Sequence, residues 1–377
     1  MNQTIYSVEK LRLTRFSYLL VPFVVCPCGT LSERRGLIGF SFSAIIEVPL
    51  AFKKTMTESA SPVLPDLSVQ LGRLSIPNPI MVASGTFGYA NEMQEFVPLH
   101  RLGGIVPKTI TVAPRAGNRP WRTIETASGL LNSIGLDNDG LEQFVQDKLP
   151  FLRSCGAPVV VSIAGGTVAE FVLLAEQLDK ESGIAALELN ISCPNVSHGV
   201  DFATDPELCR QVVEGVRHNT QLPVIAKLTP NVTDITSIAQ AAADGGADAV
   251  TLINTCQGMA INWRKQRTLL GNGIGGLSGP AIKPIALRCV HQVHARVGIP
   301  IIGVGGIMTT DDCMEFFVAG ASAVQIGTAS FAEPVITGRI LDELPAAVNS
   351  LGASELQQIV GTLVIGDHAK TSAKAGE

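Results

Sequence analysis

Short apolar segments alternate with amphipathic ones along most of the chain, from Asp66 to Leu351. Each apolar segment has four or five residues, and most are rich in Val, Ile or Ala, which is typical of strands buried on both faces of a parallel sheet. There are eight such segments, at residues 80–83, 104–108, 159–163, 186–190, 224–227, 249–253, 301–304 and 323–326.

Helical patterns separate most of these predicted strands, for example at residues 168–178, 206–217, 232–244 and 280–297. Strand and helix alternating eight times predicts an α/β fold of the (β/α)8 TIM-barrel type. A doubly wound sheet is the main alternative, but eight units in about 270 residues fit a barrel better. Residues 67–71 and 74–76, joined at Gly72 and Arg73, predict a short N-terminal hairpin that closes the barrel bottom.

The chain divides by pattern into an N-terminal extension at 1–55, the barrel at 66–351, and a C-terminal helix and tail at 352–377. The extension has two apolar stretches, 16–28 and 37–52, and both fall short of the roughly 18–20 residues that span a bilayer. We therefore expect no membrane association, and an extension that is disordered or upstream of a true start at Met56. A secretory signal and a membrane-surface anchor are the alternatives.

Charge and cysteine content narrow the function classes. The chain has 377 residues and a net charge of −5, so it lacks a basic excess, and we expect no nucleic-acid partner. Its eight cysteines include no Cys-X-X-Cys pair, which argues against a metal site or an iron–sulfur cluster held by this chain alone. Scattered cysteines are typical of reduced thiols, so we predict a cytoplasmic protein.

Polar and glycine residues gather where the predicted strands end, which is where a (β/α)8 barrel places its active site. Residues 305–306 and 327–328 follow the last two strands, and 275–279 is predicted to form a third glycine-rich loop. Glycine lets backbone N–H groups approach an anion, and a helix that begins near Thr309 would add its dipole. The sequence therefore predicts a site for a ligand that carries a phosphate.

Two lysines, Lys108 and Lys227, end buried strands. A buried ammonium group is costly unless it meets a negative partner. The N1–C2=O edge of a flavin becomes anionic on reduction and would be such a partner. The alternative is an internal ion pair with a carboxylate such as Glu188.

Four asparagines are expected to converge at the strand tips: Asn132, Asn190, Asn195 and Asn254. A side-chain amide offers two donors and an acceptor, so a set of amides can bind the alternating N–H and C=O groups of a pyrimidine ring. Cys193 lies among them, and a thiol, with an ordinary pKa of about 8.5, is suited to act as a general base. His198 is the alternative base.

These residues lie in motifs that resemble the dihydroorotate dehydrogenases. The motifs are ELNISCPN at 188–195, LNSIGL at 131–136, INT at 253–255, GGLSGP at 275–280 and IGVGG at 302–306. The resemblance covers roughly residues 67–351, and it implies oxidation of dihydroorotate to orotate in pyrimidine synthesis with one bound FMN. It also implies that Cys193 removes a proton from C5 of dihydroorotate while a hydride leaves C6 for the flavin N5.

The resemblance implies two overlapping sets of binding residues. The substrate set is Lys108, Asn132, Ser133, Ile134, Gly135, Leu136, Asn190, Asn195, Asn254 and Thr255. The FMN set is Ser84, Lys108, Thr109, Ser162, Asn190, Lys227, Ile253, Gly279, Gly305, Gly306, Gly327 and Thr328. Within the FMN set, Ser162 stands where some relatives have an asparagine. No residue is expected to bind a metal.

The resemblance also favours one of three classes in the family. The membrane-bound, quinone-using class has a serine as base, so Cys193 argues against it. Residues 125–132 and 253–259 resemble the NAD-linked class, which implies a partner subunit carrying FAD and a [2Fe–2S] cluster, in a heterotetramer built on a homodimer of this chain. A fumarate-linked dihydroorotate dehydrogenase is the first alternative. A tRNA dihydrouridine synthase and a non-catalytic phosphate-binding barrel are more remote.

Overall fold

A computed structural model of the chain describes residues 64–192 and 202–366. Its strands, in chain order, are β1 (Val69–Leu71), β2 (Leu74–Ile76), β3 (Ile80–Val82), β4 (Gly104–Ile105), β5 (Thr123–Thr126), β6 (Gly129–Asn132), β7 (Val160–Ile163), β8 (Ala186–Asn190), β9 (Val224–Leu228), β10 (Ala249–Leu252), β11 (Cys256–Met259), β12 (Ile261–Asn262), β13 (Arg267–Thr268), β14 (Ile274–Ser278), β15 (Ile301–Val304) and β16 (Ala323–Ile326).

The α-helices are α1 (Gly140–Gln143), α2 (Leu149–Ser154), α3 (Val168–Leu178), α4 (Pro206–His218), α5 (Ile235–Asp244), α6 (Lys283–His294), α7 (Thr310–Ala319), α8 (Ala329–Ala332) and α9 (Ile336–Ser350). A π-helical turn, Phe144–Lys148, joins α1 to α2. Single 3-10 turns occur at Asn91–Met93, Leu99–Arg101, Pro280–Ile282 and Leu356–Gln358.

Eight of the strands form one parallel sheet that closes into a barrel. Their order is β4-β3-β16-β15-β10-β9-β8-β7, and isolated bridges join Ile105 to Val159 and Ile110 to Ile163, between the two outer strands. The predicted (β/α)8 barrel is therefore confirmed, because an open doubly wound sheet would leave these edges unpaired. β4 is shorter than predicted, since Pro107 has no N–H to carry the ladder on to Lys108.

Four helices, α3, α4, α5 and α7, begin at a residue whose side chain accepts a hydrogen bond from the N–H groups of the first turn. Thr167 accepts a hydrogen bond from the Glu170 N–H at the start of α3, which has the predicted bounds. Asp234 likewise caps α5, so this helix begins at Ile235 rather than at residue 232 as the pattern predicted.

Successive side chains of β8 point to opposite sides of the barrel wall. Leu187 and Leu189 are fully buried in the apolar core. Glu188, between them, hydrogen-bonds side chains of β9, β10 and β16, and it therefore faces the barrel interior. The following Asn190 ends the strand at the C-terminal face of the barrel.

A second sheet has antiparallel strands in the order β11-β14-β6-β5. It is formed by chain segments that come after the C-terminal ends of β4 and β10. Residues 275–279 belong mostly to β14, so the prediction of a glycine-rich loop there was wrong. Glycine is needed for close packing instead. A Cβ on Gly275 would lie 2.5 Å from a Leu270 methyl carbon and 2.6 Å from the Asn132 carbonyl oxygen.

The predicted hairpin is present and lies at the other end of the barrel. β1 pairs with β2, with Val69 opposite Ile76. Arg73, in the turn, donates to Asp248 at 2.8 Å and to the Gln221 carbonyl at 2.9 Å. Because Asp248 directly precedes β10 and Gln221 lies just before β9, the hairpin contacts the N-terminal ends of these strands.

The C-terminal segment differs from its prediction. The last α-helix, α9, ends at Ser350, and the described residues 352–366 contain only a 3-10 turn, so the predicted helix is absent from them. Gly352 has φ +73°, a left-handed conformation that commonly ends a helix. Residues 367–377, the extension at 1–55 and Met56 lie outside the described residues. Across 64–192 and 202–366, no helix has the length and apolar character that a bilayer crossing requires.

Candidate active site

A cavity of about 670 Å³ opens at the C-terminal ends of the barrel strands, and β6 and β14 contribute to its wall. Most of the predicted site residues line it. These are Ser84, Lys108, Thr109, Asn132, Ser133, Ile134, Gly135, Leu136, Asn190, Lys227, Ile253, Asn254, Thr255, Gly279, Gly305, Gly306, Gly327 and Thr328. The structure thus brings most members of the two predicted binding sets to one cavity.

Among the described residues of the predicted sets, Ser162 is not part of the cavity lining. Ser162 is fully buried, and its Oγ lies 2.8 Å from Thr109 Oγ1, so it meets the cavity only through Thr109. Cys193 and Asn195 lie outside the described residues, as does the alternative base His198. The proposed roles of these three residues stay predictions.

Backbone N–H groups form a candidate anion site at one end of the cavity. Within the described residues, no acceptor is paired with the N–H of Gly306, Gly327 or Thr328. Gly306 has φ +76°, and a Cβ there would lie 2.8 Å from Lys283 Cβ. Unpaired N–H donors on a backbone with no side chains in the way can approach and bind the oxygens of a phosphate.

The helix that begins at this end is α8, not α7 as the sequence predicted. Thr328 and Ala329 line the cavity, whereas Thr309 does not. Thr309 forms a capping box with Asp312, in which each side chain accepts a hydrogen bond from the other residue's N–H. The first turn of α7 is therefore occupied by its own cap.

Lys227 stands on the cavity floor and is already paired. Its Nζ lies 3.4 Å from Glu188 Oε1 and 3.1 Å from Gln325 Oε1. The internal ion pair considered from the sequence is therefore real, and it coexists with a position in the cavity lining. Lys227 is only 6% exposed and Glu188 is not exposed at all, so this ion pair is shielded from water.

Lys108 differs from Lys227 in having no partner in the described part of the chain. It is half-buried in the cavity wall, and its Nζ makes no hydrogen bond or ion pair with any described residue. An ammonium group in this position favours an anionic or carbonyl-rich ligand. Together with the free N–H groups, it gives the cavity donors at separate positions, which fit a ligand with a phosphate tail and a polar ring.

Amide and hydroxyl side chains form a network at the strand tips. Asn254 Nδ2 donates to Ser192 Oγ at 2.6 Å and lies 3.3 Å from Asn190 Oδ1. Asn190 Nδ2 in turn donates to Thr109 Oγ1 at 3.3 Å. Asn132 approaches from the second sheet, where its Nδ2 donates to the Gly276 carbonyl at 3.3 Å. Three of the four predicted asparagines thus line one cavity.

The described cysteines are unsuited to acid–base chemistry. Burial raises the pKa of the Cys256 thiol, which follows Thr255 directly. Burial raises the pKa of Cys209 to about 12. Within the described part of the chain, no group of three His, Cys, Asp or Glu side chains is placed to hold a metal ion.

The family model for dihydroorotate dehydrogenase matches residues 66–348, three quarters of the chain and nearly the whole barrel. The chain belongs to the dihydroorotate dehydrogenase family. The resemblance drawn from the motifs is therefore confirmed.

Three similar relatives are each named "dihydroorotate dehydrogenase B (NAD(+)), catalytic subunit". The protein of Geobacter sulfurreducens is 51% identical over 302 residues, 80% of this chain and 99% of its own length. That of Geotalea uraniireducens is 48% identical over 301 residues, with 80% and 99% covered. That of Listeria monocytogenes is 47% identical over 294 residues, with 78% and 97% covered. The chain is thus similar to the NAD-linked class along nearly the full length of these relatives.

A solved structure of the same family shares the fold. The crystal structure of dihydroorotate dehydrogenase from Eimeria tenella, in complex with ferulenol, superposes with a TM-score of 0.66. It covers 81% of this chain and 90% of its own, at 22% sequence identity, so the likeness concerns the barrel and not the site.

Several residues of the cavity were not found from the sequence. Thr229 and Asn231 lie after β9, and Asn231 Nδ2 donates to the Thr255 carbonyl at 3.1 Å. Gln325 lies inside β16, where a polar residue in an apolar strand was an available signal. Ser278 Oγ lies 2.7 Å from Thr328 Oγ1, a contact between β14 and the last strand end that no local pattern indicates.

Proposed function

We propose that this protein oxidises dihydroorotate to orotate in pyrimidine synthesis and that NAD is the final electron acceptor. The support is identity of 47–51% over 97–99% of the length of relatives named as the NAD-linked catalytic subunit. The observation of the structure that carries the proposal is the cavity itself. It combines the unpaired Lys108, free backbone N–H groups and the asparagine network at one strand-end surface.

FMN is the proposed cofactor of this cavity, and it would accept the hydride that leaves C6 of dihydroorotate. The N–H groups of residues 305–306 and 327–328 would bind its phosphate. Lys227, on the cavity floor, would donate to the ring edge that becomes negative on reduction. Ser84 and Thr109, which follow the adjacent strands β3 and β4 and whose side-chain oxygens lie 3.0 Å apart, would contact the ring.

Dihydroorotate is proposed to bind between the asparagine network and the second sheet. Asn132, Asn190 and Asn254 present amide donors and acceptors that match the N–H and C=O groups of its ring. Lys108 would bind its carboxylate, because this ammonium group has no partner within the described residues. Asn195 is proposed to complete the set.

Cys193 is proposed to remove the proton from C5. A thiolate is a competent base near neutral pH, whereas a serine hydroxyl in the same place needs further activation. Among the described cysteines, Cys256 follows the cavity residue Thr255 in the chain, but burial raises the pKa of its thiol and makes it a weaker candidate.

Electrons are proposed to leave the chain through a partner subunit that carries FAD and a [2Fe–2S] cluster. The relatives are named as catalytic subunits, which supports a partner of this kind. A heterotetramer built on a homodimer, and a cytoplasmic location, are the corresponding proposals for assembly and place. The isolated chain should then reduce artificial dyes with dihydroorotate but reduce NAD very poorly until the partner is added. Brisk fumarate reduction would instead identify a fumarate-linked enzyme.

The first experiment compares Cys193→Ala with Cys256→Ala in the purified yellow protein. In Cys193→Ala, dihydroorotate should reduce the bound flavin about 10²–10⁴-fold more slowly, because loss of a general base typically costs this factor. FMN content should not change. Cys256→Ala should behave like the wild type in stopped-flow reduction. Wild-type rates in Cys193→Ala would assign the proton transfer to another group, with His198 the next candidate to replace.

A further inference from the structure

A layer of buried polar side chains crosses the barrel beneath the cavity. Glu188 Oε2 accepts hydrogen bonds from Thr251 Oγ1 at 3.0 Å and from Gln325 Nε2 at 2.6 Å. Gln325 lies on β16, and three strands, β9, β10 and β15, separate β16 from β8 along the sheet. The contact therefore spans the barrel interior. We call Glu188, Lys227, Thr251 and Gln325 the buried polar cluster.

Glu188 orients the other members of the buried polar cluster. Because Gln325 donates its amide N–H to Glu188, its amide oxygen faces Lys227 Nζ at 3.1 Å. The second carboxylate oxygen lies 3.4 Å from the same Nζ. Lys227 and Gln325 line the cavity, whereas Glu188 does not. The lysine on the cavity floor is thus held from below by a carboxylate that no ligand in the cavity would contact.

The charge of the cluster is balanced. It contains one ammonium group and one carboxylate, both buried, and its other two side chains are neutral. In a protein site with an effective dielectric constant of about 20, a unit charge a few ångströms away changes a neighbouring equilibrium by roughly tenfold or more. A carboxylate that offsets the charge of Lys227 therefore weakens the effect of this lysine on any ligand that gains negative charge beside it.

We propose that Glu188 is a positioning residue that offsets the charge of Lys227 and thereby keeps the reduction potential of the bound flavin low. This inference rests on the proposed function, since it requires a flavin above Lys227. A flavin gains negative charge at its N1–C2=O edge on reduction, and a neutral pair stabilises that charge less than a lone lysine would. The bound flavin then stays a strong reductant, as an enzyme that passes electrons on to NAD requires.

The test is the two-electron reduction potential of the bound flavin, titrated spectroscopically against reference dyes. Glu188→Gln keeps the size of the side chain and removes its charge. We expect binding of reduced relative to oxidised flavin to strengthen about tenfold, a rise of about 30 mV for a two-electron couple. Glu188→Asp keeps the charge and should stay close to the wild-type potential.

Thr251→Val is the matched control, because it removes a hydrogen bond to the same carboxylate without changing any charge. Its potential should remain near the wild-type value. Equal shifts in Thr251→Val and Glu188→Gln would show that packing, not charge, is at work, and would overturn the inference.

A second pair of variants covers the case in which Glu188→Gln does not fold. Lys227→Met leaves Glu188 without its partner and should lower the potential. The double variant Glu188→Gln with Lys227→Met restores neutrality and should raise the potential again. Equal potentials in these two proteins would overturn the inference.

The proposed function and this inference fail in different ways. If the wild-type protein is yellow and Glu188→Gln has the same flavin reduction potential, the role of Glu188 is overturned and the proposed function is left intact. A folded wild-type protein that cannot be reconstituted with FMN overturns the proposed function, and the role of Glu188 with it.

Discussion

At the bottom of the barrel, Arg73 and Asp248 form a paired polar cluster. Arg73 donates to both carboxylate oxygens of Asp248 at 2.8 Å, and also to the Gln221 and Leu222 carbonyls at 2.9 Å. Asp248 further accepts a hydrogen bond from the Val224 N–H at 2.8 Å. These contacts tie the N-terminal hairpin to the starts of two barrel strands.

The top of the barrel leaves polar groups unpaired. Lys108 Nζ and the N–H groups of Gly306, Gly327 and Thr328 have no acceptor within the parts of the chain that the structure describes. Buried or half-buried polar groups are nearly always paired in proteins, because an unsatisfied group costs about 1–3 kcal/mol. From this difference we infer that the polar groups at the bottom stabilise the fold, whereas those at the top are available to bind a ligand.

Lys108→Met tests the top directly and should have the largest effect. Flavin reduction by dihydroorotate should slow by about 10²–10³-fold, the cost typical of removing one donor to developing charge in an active site. The melting temperature of the flavin-free protein should not fall, because Lys108 has no partner to lose among the described residues. Lys265→Met, on the exposed turn between β12 and β13, is the control for a change of net charge. Wild-type turnover in Lys108→Met would break the comparison.

Gly306→Ala should weaken FMN binding without affecting the bottom of the barrel. Its φ of +76° disfavours any side chain, and the new Cβ would lie 2.8 Å from Lys283 Cβ. Strain of this kind costs about 1–3 kcal/mol, so the dissociation constant of FMN should rise by about 5–150-fold. Flavin fluorescence titration measures it. Gly298→Ala, whose Cβ would meet nothing within 4 Å, should bind FMN normally.

Arg73→Met should lower stability and leave the site intact. Asp248 would lose its main partner while staying 7% exposed, and Arg73 is 45% exposed, so we expect a loss of about 1–3 kcal/mol. Urea denaturation of the FMN-free protein measures it. Arg101→Met, at the exposed pair with Asp342, should cost at most about 1 kcal/mol. A drop in turnover per bound FMN in Arg73→Met would contradict the division between the two ends.

Ser162→Ala should have the smallest effect. Ser162 is fully buried and contacts Thr109, which itself lines the cavity. Its loss should cost about 0.5–1.5 kcal/mol of stability, the net value of one neutral hydrogen bond. FMN affinity should change little. A loss of affinity comparable to that of Gly306→Ala would make Ser162 a direct ligand, as the family resemblance implies.

Local patterns in the sequence determined most of the architecture. The helix at Val168–Leu178 has the predicted bounds, because both its cap, Thr167, and its apolar spacing lie within a few residues of each other. The eight barrel strands were found for the same reason, since burial on both faces gives each an apolar composition of its own. The rule that parallel strands end at one face then placed Asn190, Lys227 and Asn254 in one site.

The tertiary structure alone decided how distant segments meet. Gly276 of β14 pairs with Asn132 of β6 across 144 residues, so a segment that looks like a flexible glycine loop is a strand. Glu188 and Gln325 are 137 residues apart and meet only because the barrel closes. Lys108 and Lys227 have the same appearance in the sequence, each at the end of a buried strand. Whether a lysine is paired depends on which side chains the closed barrel places opposite it, and these lie on other strands.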